Sequence, residues 1–135
     1  MMRKKNNENN TESLTVWKKW VLAARPKTLP AAAAPVIIGT ALALWWEAVS
    51  IFPALAALGG ALWLQIGANL ANDLFDYLRG VDSGKRLGPK RATQEGWLSP
   101  RAVAVGTFFS FLMASICGVY LVYVSSPVII VIGLT

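Results

Sequence analysis

The sequence predicts an all-α integral membrane protein, a multi-helix transmembrane bundle, on three observations. Of 135 residues, 55% are apolar and only 15% charged, against roughly 25% charged in soluble domains. Three apolar runs, residues 29–46, 51–72 and 102–124, are each long enough to cross about 30 Å of hydrocarbon as a helix. The thirteen Lys and Arg and the net charge of +6 collect in the two polar segments beside those runs, a pattern of membrane topology rather than nucleic-acid binding.

The elements follow in chain order. Residues 1–13 are polar, with nothing to bury, and read as a disordered tail. Residues 14–28 mix Trp17, Trp20 and Val21 with Lys18, Lys19, Arg25 and Lys27, the composition of a basic helix lying in the interface of an anionic leaflet. The first span carries Pro30 and Pro35, tolerable near a membrane helix start or at a kink. It is too long for a signal-peptide core and leads directly to a second span, so it is expected to be retained. Trp45, Trp46, Trp97, Tyr120 and Tyr123 suit interfacial aromatic belts. A fourth apolar run, residues 128–135, has only begun where the sequence stops, and the expectation is an N-terminal part of a longer protein.

Seven Lys and Arg (Arg3, Lys4, Lys5, Lys18, Lys19, Arg25, Lys27) precede the first span, and the loop at 77–101 holds the other six. Two spans separate these basic segments, which puts both on one face. The positive-inside rule makes that face cytoplasmic, the N-terminus included, with the inner or plasma membrane as the location.

Composition also removes chemistries. With no histidine, a Ser-His-Asp triad, a His-ligated zinc and a His-ligated haem are excluded. The single Cys117, inside an apolar run, allows neither an internal disulfide nor a Cys-rich metal site.

One stretch does carry chemistry. If the second span stays helical through Leu78, then Gln65, Asn69, Asn72, Asp73 and Asp76 share one side of it. Leu70, Leu74, Tyr77 and Leu78 occupy the rest. Polar and acidic residues at membrane depth are costly and normally face a cavity or a partner. Oxygen ligands without nitrogen or sulfur suit a hard cation, and Mg²⁺ binds through one or two carboxylates plus substrate phosphates. The loop beyond offers Arg79, Lys85, Arg86, Lys90 and Arg91 as phosphate donors, although topology alone would also place several of them there. Acids that hold a metal, a metal that holds a diphosphate and bases that take up the remaining charge describe a lipid diphosphate at a membrane surface. Its tail would lie between helices, and Mg²⁺ would favour ionisation of an allylic C–O bond.

The stretch NDLFDYLRGVD (Asn72–Asp82) resembles the first Asp-rich motif of the UbiA-type intramembrane aromatic prenyltransferases. RPKTLPAAAAPVIIGTALA (Arg25–Ala43) and RLGPKRATQEGWLSP (Arg86–Pro100) resemble further motifs of the family, in the right order, so the likeness covers roughly Trp17 to Val124. Ubiquinone-type relatives usually carry an acid four residues after the second Asp of this motif. Here that place holds Gly80, with Asp82 two residues on, which favours the naphthoate branch.

The resemblance implies Mg²⁺ held by Asn72, Asp73 and Asp76, with Asp73 and Asp76 catalytic. It matches Arg91 and Gln94 to the loop at the diphosphate and, less closely, Asp82, which lies beyond the helix. The residue chemistry adds Asn69, Arg79, Lys85, Arg86 and Lys90 around the same group. Arg25 and Lys27 would either recognise charge at the mouth or anchor the topology. The implied partners are a polyprenyl diphosphate, 1,4-dihydroxy-2-naphthoate and the lipid bilayer. The implied reaction attaches the polyprenyl chain with release of CO₂ and diphosphate, giving demethylmenaquinol.

The family fold is a bundle of nine transmembrane helices with a second Asp-rich motif in its later half. No acid follows Glu95 here, so the chain is expected to hold half of the metal site and not to turn over alone. Two other readings compete. One is prenyl or phytyl transfer to another acceptor, such as 4-hydroxybenzoate or homogentisate. The other is a membrane transporter whose polar ladder lines a permeation path, against which the basic loop counts.

Overall fold

The computed structural model describes residues 14–80 and 92–126, together with Val131 and Leu134. Among the described residues the chain runs through α1 (Val16–Ala24), α2 (Leu29–Trp45), α3 (Ile51–Leu78) and α4 (Pro100–Val124), with a 3-10 turn at Pro26–Thr28 between the first two. The stretches Val16–Trp45, Ile51–Leu78 and Pro100–Val124 are long and apolar enough to cross a membrane. At 1.5 Å per residue the 28 residues of α3 reach about 42 Å and the 25 of α4 about 38 Å.

Each break has a local cause. Arg25 takes a left-handed conformation (φ 54°) that ends α1, and Pro26 then opens the 3-10 turn. Gly80, at φ 61°, follows the last residues of α3 in the conformation that glycine adopts at least cost. Pro100 sits in the first turn of α4, where its missing N–H is no loss, and the Ser99 side chain accepts from the Ala102 N–H at 3.2 Å. α3 runs six residues past the apolar run that ends at 72, because Leu70 and Leu74 keep one side of it packed on a core.

That core lies at one end of the bundle. Ala23, Leu70, Ala92, Leu98 and Val103 are buried together, with Trp20, Ile66, Leu74 and Trp97 against them. The turn before α4 is folded onto α3 by this cluster and closed by Trp97 N–H and Leu98 N–H donating to the Ala92 carbonyl at 2.9 and 3.3 Å. Trp97, expected at an aromatic belt, is therefore half-buried in the core. Its indole N–H is buried with no hydrogen-bond partner among the described residues.

Away from that end, the helices show their large apolar side chains sideways: Ile37, Ile38, Phe108 and Val119 are all at least 60% exposed. Such a surface fits lipid or further helices, not water. Hydroxyls on these helices bond their own backbone: Thr40 donates to Val36, Thr107 to Val103 and Ser115 to Phe111, each at 2.8 Å.

α3 and α4 are antiparallel and close. A Cβ added at Gly60 would meet Cys117 Cβ at 3.2 Å, and one at Gly67 would meet the Phe111 ring at 3.0 Å. Between them Trp63 and Phe109 stack edge to face, with centroids 5.7 Å apart at 85°. Small residues permit this approach in a medium where lipid competes with every apolar contact. Trp45, Trp46 and Tyr123, all more than 70% exposed, project at the far end of α2 and α4.

Residues 1–13, and with them the expected tail, lie outside the described residues, as does the loop at 81–91. The fourth apolar run is described only at Val131 and Leu134, both helical and exposed.

Candidate functional site

The polar ladder is on α3, and the structure splits it into two columns. Asn69 and Asp73 are four residues apart, as are Asn72 and Asp76, and the two pairs lie about 60° apart around the helix. Asn69 and Asp73 are buried, 5% and 2% exposed, whereas Asn72 is exposed and Asp76 half-buried.

The buried column is spent on the protein's own chain. Asn69 Nδ2 donates to the Ala24 carbonyl at 2.8 Å and to Thr28 Oγ1 at 2.9 Å. The Thr28 hydroxyl in turn donates to the Arg25 carbonyl at 2.9 Å. One carboxamide thus ties down both sides of the α1–α2 break and holds Arg25, half-buried, and Lys27, exposed, beside α3. Gln65 Nε2 reaches Asn69 Oδ1 only at 3.5 Å, the limit of a hydrogen bond.

Asp73 is bound by Thr93. The Thr93 hydroxyl donates to Asp73 Oδ1 at 2.7 Å and lies 3.3 Å from the Asp73 carbonyl, while the Thr93 N–H donates to Oδ2 at 3.3 Å. Thr93 is itself 5% exposed. Sequence reasoning missed it. It stands between two residues of the quoted ATQEG stretch but twenty positions from Asp73, and nothing local marks a hydroxyl as the partner of a distant carboxylate.

The open column is open in exposure only: Asn72 is exposed, and Asp76 is half-buried with an interaction of its own. Asn72 and Asp76, one helical turn apart, bring a carboxamide oxygen and a carboxylate to the same side, with Cβ atoms about 5–6 Å apart by helix geometry. Arg79 caps the C-terminus of α3 just beyond them and is exposed. Gln94, in the turn after the loop, is exposed. Asp82, Lys85, Arg86, Lys90 and Arg91 lie outside the described residues. Among the described residues no three His, Cys, Asp or Glu side chains converge as a metal cluster. An all-oxygen pair still suits Mg²⁺, which takes one or two carboxylates and completes its shell with substrate phosphates and water.

A groove of about 800 Å³ opens among α1, α3 and α4, lined by Trp17, Trp20, Trp63, Ile66, Leu70 and Phe109 with other apolar groups. It is not continuous with the open column. Around α3, Leu70 stands about 160° from Asn72 and about 120° from Asp76.

Comparison with known proteins adds family to geometry. No family model and no solved structure matches the chain. The chain is 41% identical to the 1,4-dihydroxy-2-naphthoate octaprenyltransferase of Mycobacterium tuberculosis over 115 residues, 85% of this chain and 39% of that protein. It is 34% identical to the enzyme of the same name from Bacillus subtilis over 136 residues, 96% of this chain and 43% of the relative. It is also 32% identical to the rat UbiA prenyltransferase domain-containing protein 1 over 108 residues, 79% of this chain and 31% of the relative. The chain thus spans about two fifths of the length of these octaprenyltransferases. With its three apolar helices and the polar ladder on the second of them, it belongs to the UbiA-type membrane prenyltransferase family, beside the 1,4-dihydroxy-2-naphthoate octaprenyltransferases.

Proposed function

We propose that the protein transfers a polyprenyl group from polyprenyl diphosphate to 1,4-dihydroxy-2-naphthoate, with loss of CO₂ and diphosphate, to give demethylmenaquinol. The observation that carries this reading is the open column. A carboxylate and a carboxamide one turn apart stand at the polar end of an apolar bundle, in a chain 41% identical to a protein named for that transfer.

Asn72 and Asp76 would hold Mg²⁺, which when bound neutralises the departing diphosphate and so favours breaking the allylic C–O bond. Two side chains fall short of a full oxygen shell, so the reading requires the diphosphate's own oxygens and further protein oxygens. Arg79, exposed at the end of α3, adds a cation where the diphosphate's outer charge would lie. The new C–C bond forms at the ring carbon that carries the carboxylate, and CO₂ leaves from it while the electron pair of the broken C–C bond stays in the ring and restores aromaticity. In this reading the face with Arg25, Lys27 and Arg79 is cytoplasmic, by the positive-inside rule.

The experiment is an acceptor panel with the native protein in membranes, supplied with octaprenyl diphosphate and Mg²⁺. Demethylmenaquinol from the naphthoate, together with no product from 4-hydroxybenzoate or homogentisate, is expected. Product from 4-hydroxybenzoate and none from the naphthoate refutes the assignment.

A further inference from the structure

Asp73 is the most deeply buried ionisable side chain that the ladder contains, at 2% exposure. A carboxylate so placed costs several kcal/mol unless hydrogen bonds compensate it. Among the described residues Thr93 supplies the bonds to both oxygens: its hydroxyl to Oδ1 at 2.7 Å and its N–H to Oδ2 at 3.3 Å. The pairing is two-pronged, so it fixes the carboxylate plane as well as its distance. The hydroxyl also lies 3.3 Å from the Asp73 backbone carbonyl, which ties Thr93 to the helix itself and not just to a rotatable side chain.

The turn that carries Thr93 is packed on the core. Ala92 and Leu98 are buried in the core at either side of it, and Trp97 and Leu98 bond back to Ala92. Thr93 is thus a buried donor set against one face of the last two turns of α3. Asn72 precedes Asp73 directly and Asp76 follows one turn later, about 60° round the helix. Whatever fixes the roll of α3 at Asp73 also fixes the direction in which Asn72 and Asp76 point.

We infer that Thr93 is a positioning residue that acts through Asp73 to aim Asn72 and Asp76. Asp73 serves as the anchor of the open column rather than as one of its metal-facing ligands. The inference rests on the function proposed above for Asn72 and Asp76.

The test uses the native protein with Thr93→Val, which keeps the shape and removes the hydroxyl, and Thr93→Ser, which restores it. Hydrogen exchange of the Trp97 and Leu98 amides is followed without metal, and Mn²⁺ with inorganic diphosphate is titrated by loss of the free-ion paramagnetic signal. Thr93→Val is expected to speed exchange at both amides by about 10- to 100-fold, as loss of a hydrogen bond to a charged group would. It should also weaken Mn²⁺–diphosphate binding by about tenfold, and Thr93→Ser should recover both. Unchanged exchange in Thr93→Val overturns the anchor. Faster exchange with unchanged Mn²⁺–diphosphate affinity overturns the positioning role, as does binding that tightens when Asp73 is freed. If the unmodified protein binds no Mn²⁺–diphosphate, the proposed function fails and the positioning role with it, while the exchange rates still decide the anchor.

Discussion

Replacing Asn69 with Ala separates a structural carboxamide from a substrate-binding one. The side chain is 5% exposed and gives two short hydrogen bonds, to the Ala24 carbonyl at 2.8 Å and to Thr28 Oγ1 at 2.9 Å. At about 0.5–1.5 kcal/mol net for each neutral bond, Asn69→Ala removes roughly 1–3 kcal/mol. The loss falls on one place, because both acceptors belong to the α1–α2 break and none to α4. A central loss of about 2 kcal/mol multiplies the opening equilibrium of that break by about 30, since each 1.4 kcal/mol is tenfold.

Two amides report that opening. Arg25 N–H donates to the Leu22 carbonyl at 3.2 Å and Thr28 N–H to the Arg25 carbonyl at 2.9 Å. In Asn69→Ala their exchange is expected to accelerate by about 10- to 100-fold, while amides in the middle of α3, around Gly60 and Gly67, keep their rates. A Thr28→Val partner closes the double-mutant cycle, and the two losses should fall short of additivity by about 1 kcal/mol. Unchanged exchange at Arg25 and Thr28 refutes the clamp. Acceleration spread evenly over α3 refutes its local character.

Gly106→Ala places a Cβ 2.6 Å from Trp20 Cζ3 and 2.8 Å from Cη2. It should cost about 1–3 kcal/mol in detergent unfolding, and Trp20→Leu should relieve it. Gly67→Ala meets the Phe111 ring at 3.0 Å, but that ring is 38% exposed and free to swing, so the same assay should show at most about 1 kcal/mol. Asp76→Asn, which removes the one carboxylate of the open column, is expected to lower kcat by about 100-fold or more and raise the Mg²⁺ concentration needed. Equal turnover at equal Mg²⁺ would remove Asp76 from the site. Ser99→Ala loses the cap on Ala102 and should lower stability by about 1 kcal/mol without changing turnover.

The helices were legible in the sequence because length and hydropathy alone define a spanning helix. So was the ladder, because 100° per residue fixes how Gln65, Asn69, Asn72, Asp73 and Asp76 stand relative to one another. Periodicity does not say where the neighbours stand. Which half of the ladder would be buried depended on Thr28, 41 residues before Asn69, and on Thr93, 20 residues after Asp73. Neither pairing leaves a local trace. Trp97 shows the same limit: a tryptophan beside a span reads as an interfacial anchor, and only the packing of Leu98 and Val103 shows that it also joins a core.

The division of the ladder follows from the solvent. Between helices in hydrocarbon, apolar contacts bring little net gain because lipid tails compete for them, so close approach and polar ties must set the geometry. α3 uses both. Gly60 and Gly67 fix its separation from α4 but leave it able to roll. Roll needs directional bonds, and Asn69 and Asp73 supply them on two successive turns to two different partners, the α1–α2 break and the turn before α4. A helix held at two such points presents its next face in one direction only, and that face carries Asn72 and Asp76. Under the proposed positioning role, polar residues that touch no substrate are as necessary to the site as those that do. Disturbing them should weaken metal and diphosphate binding without removing a ligand, a signature that loss of Asp76 cannot imitate.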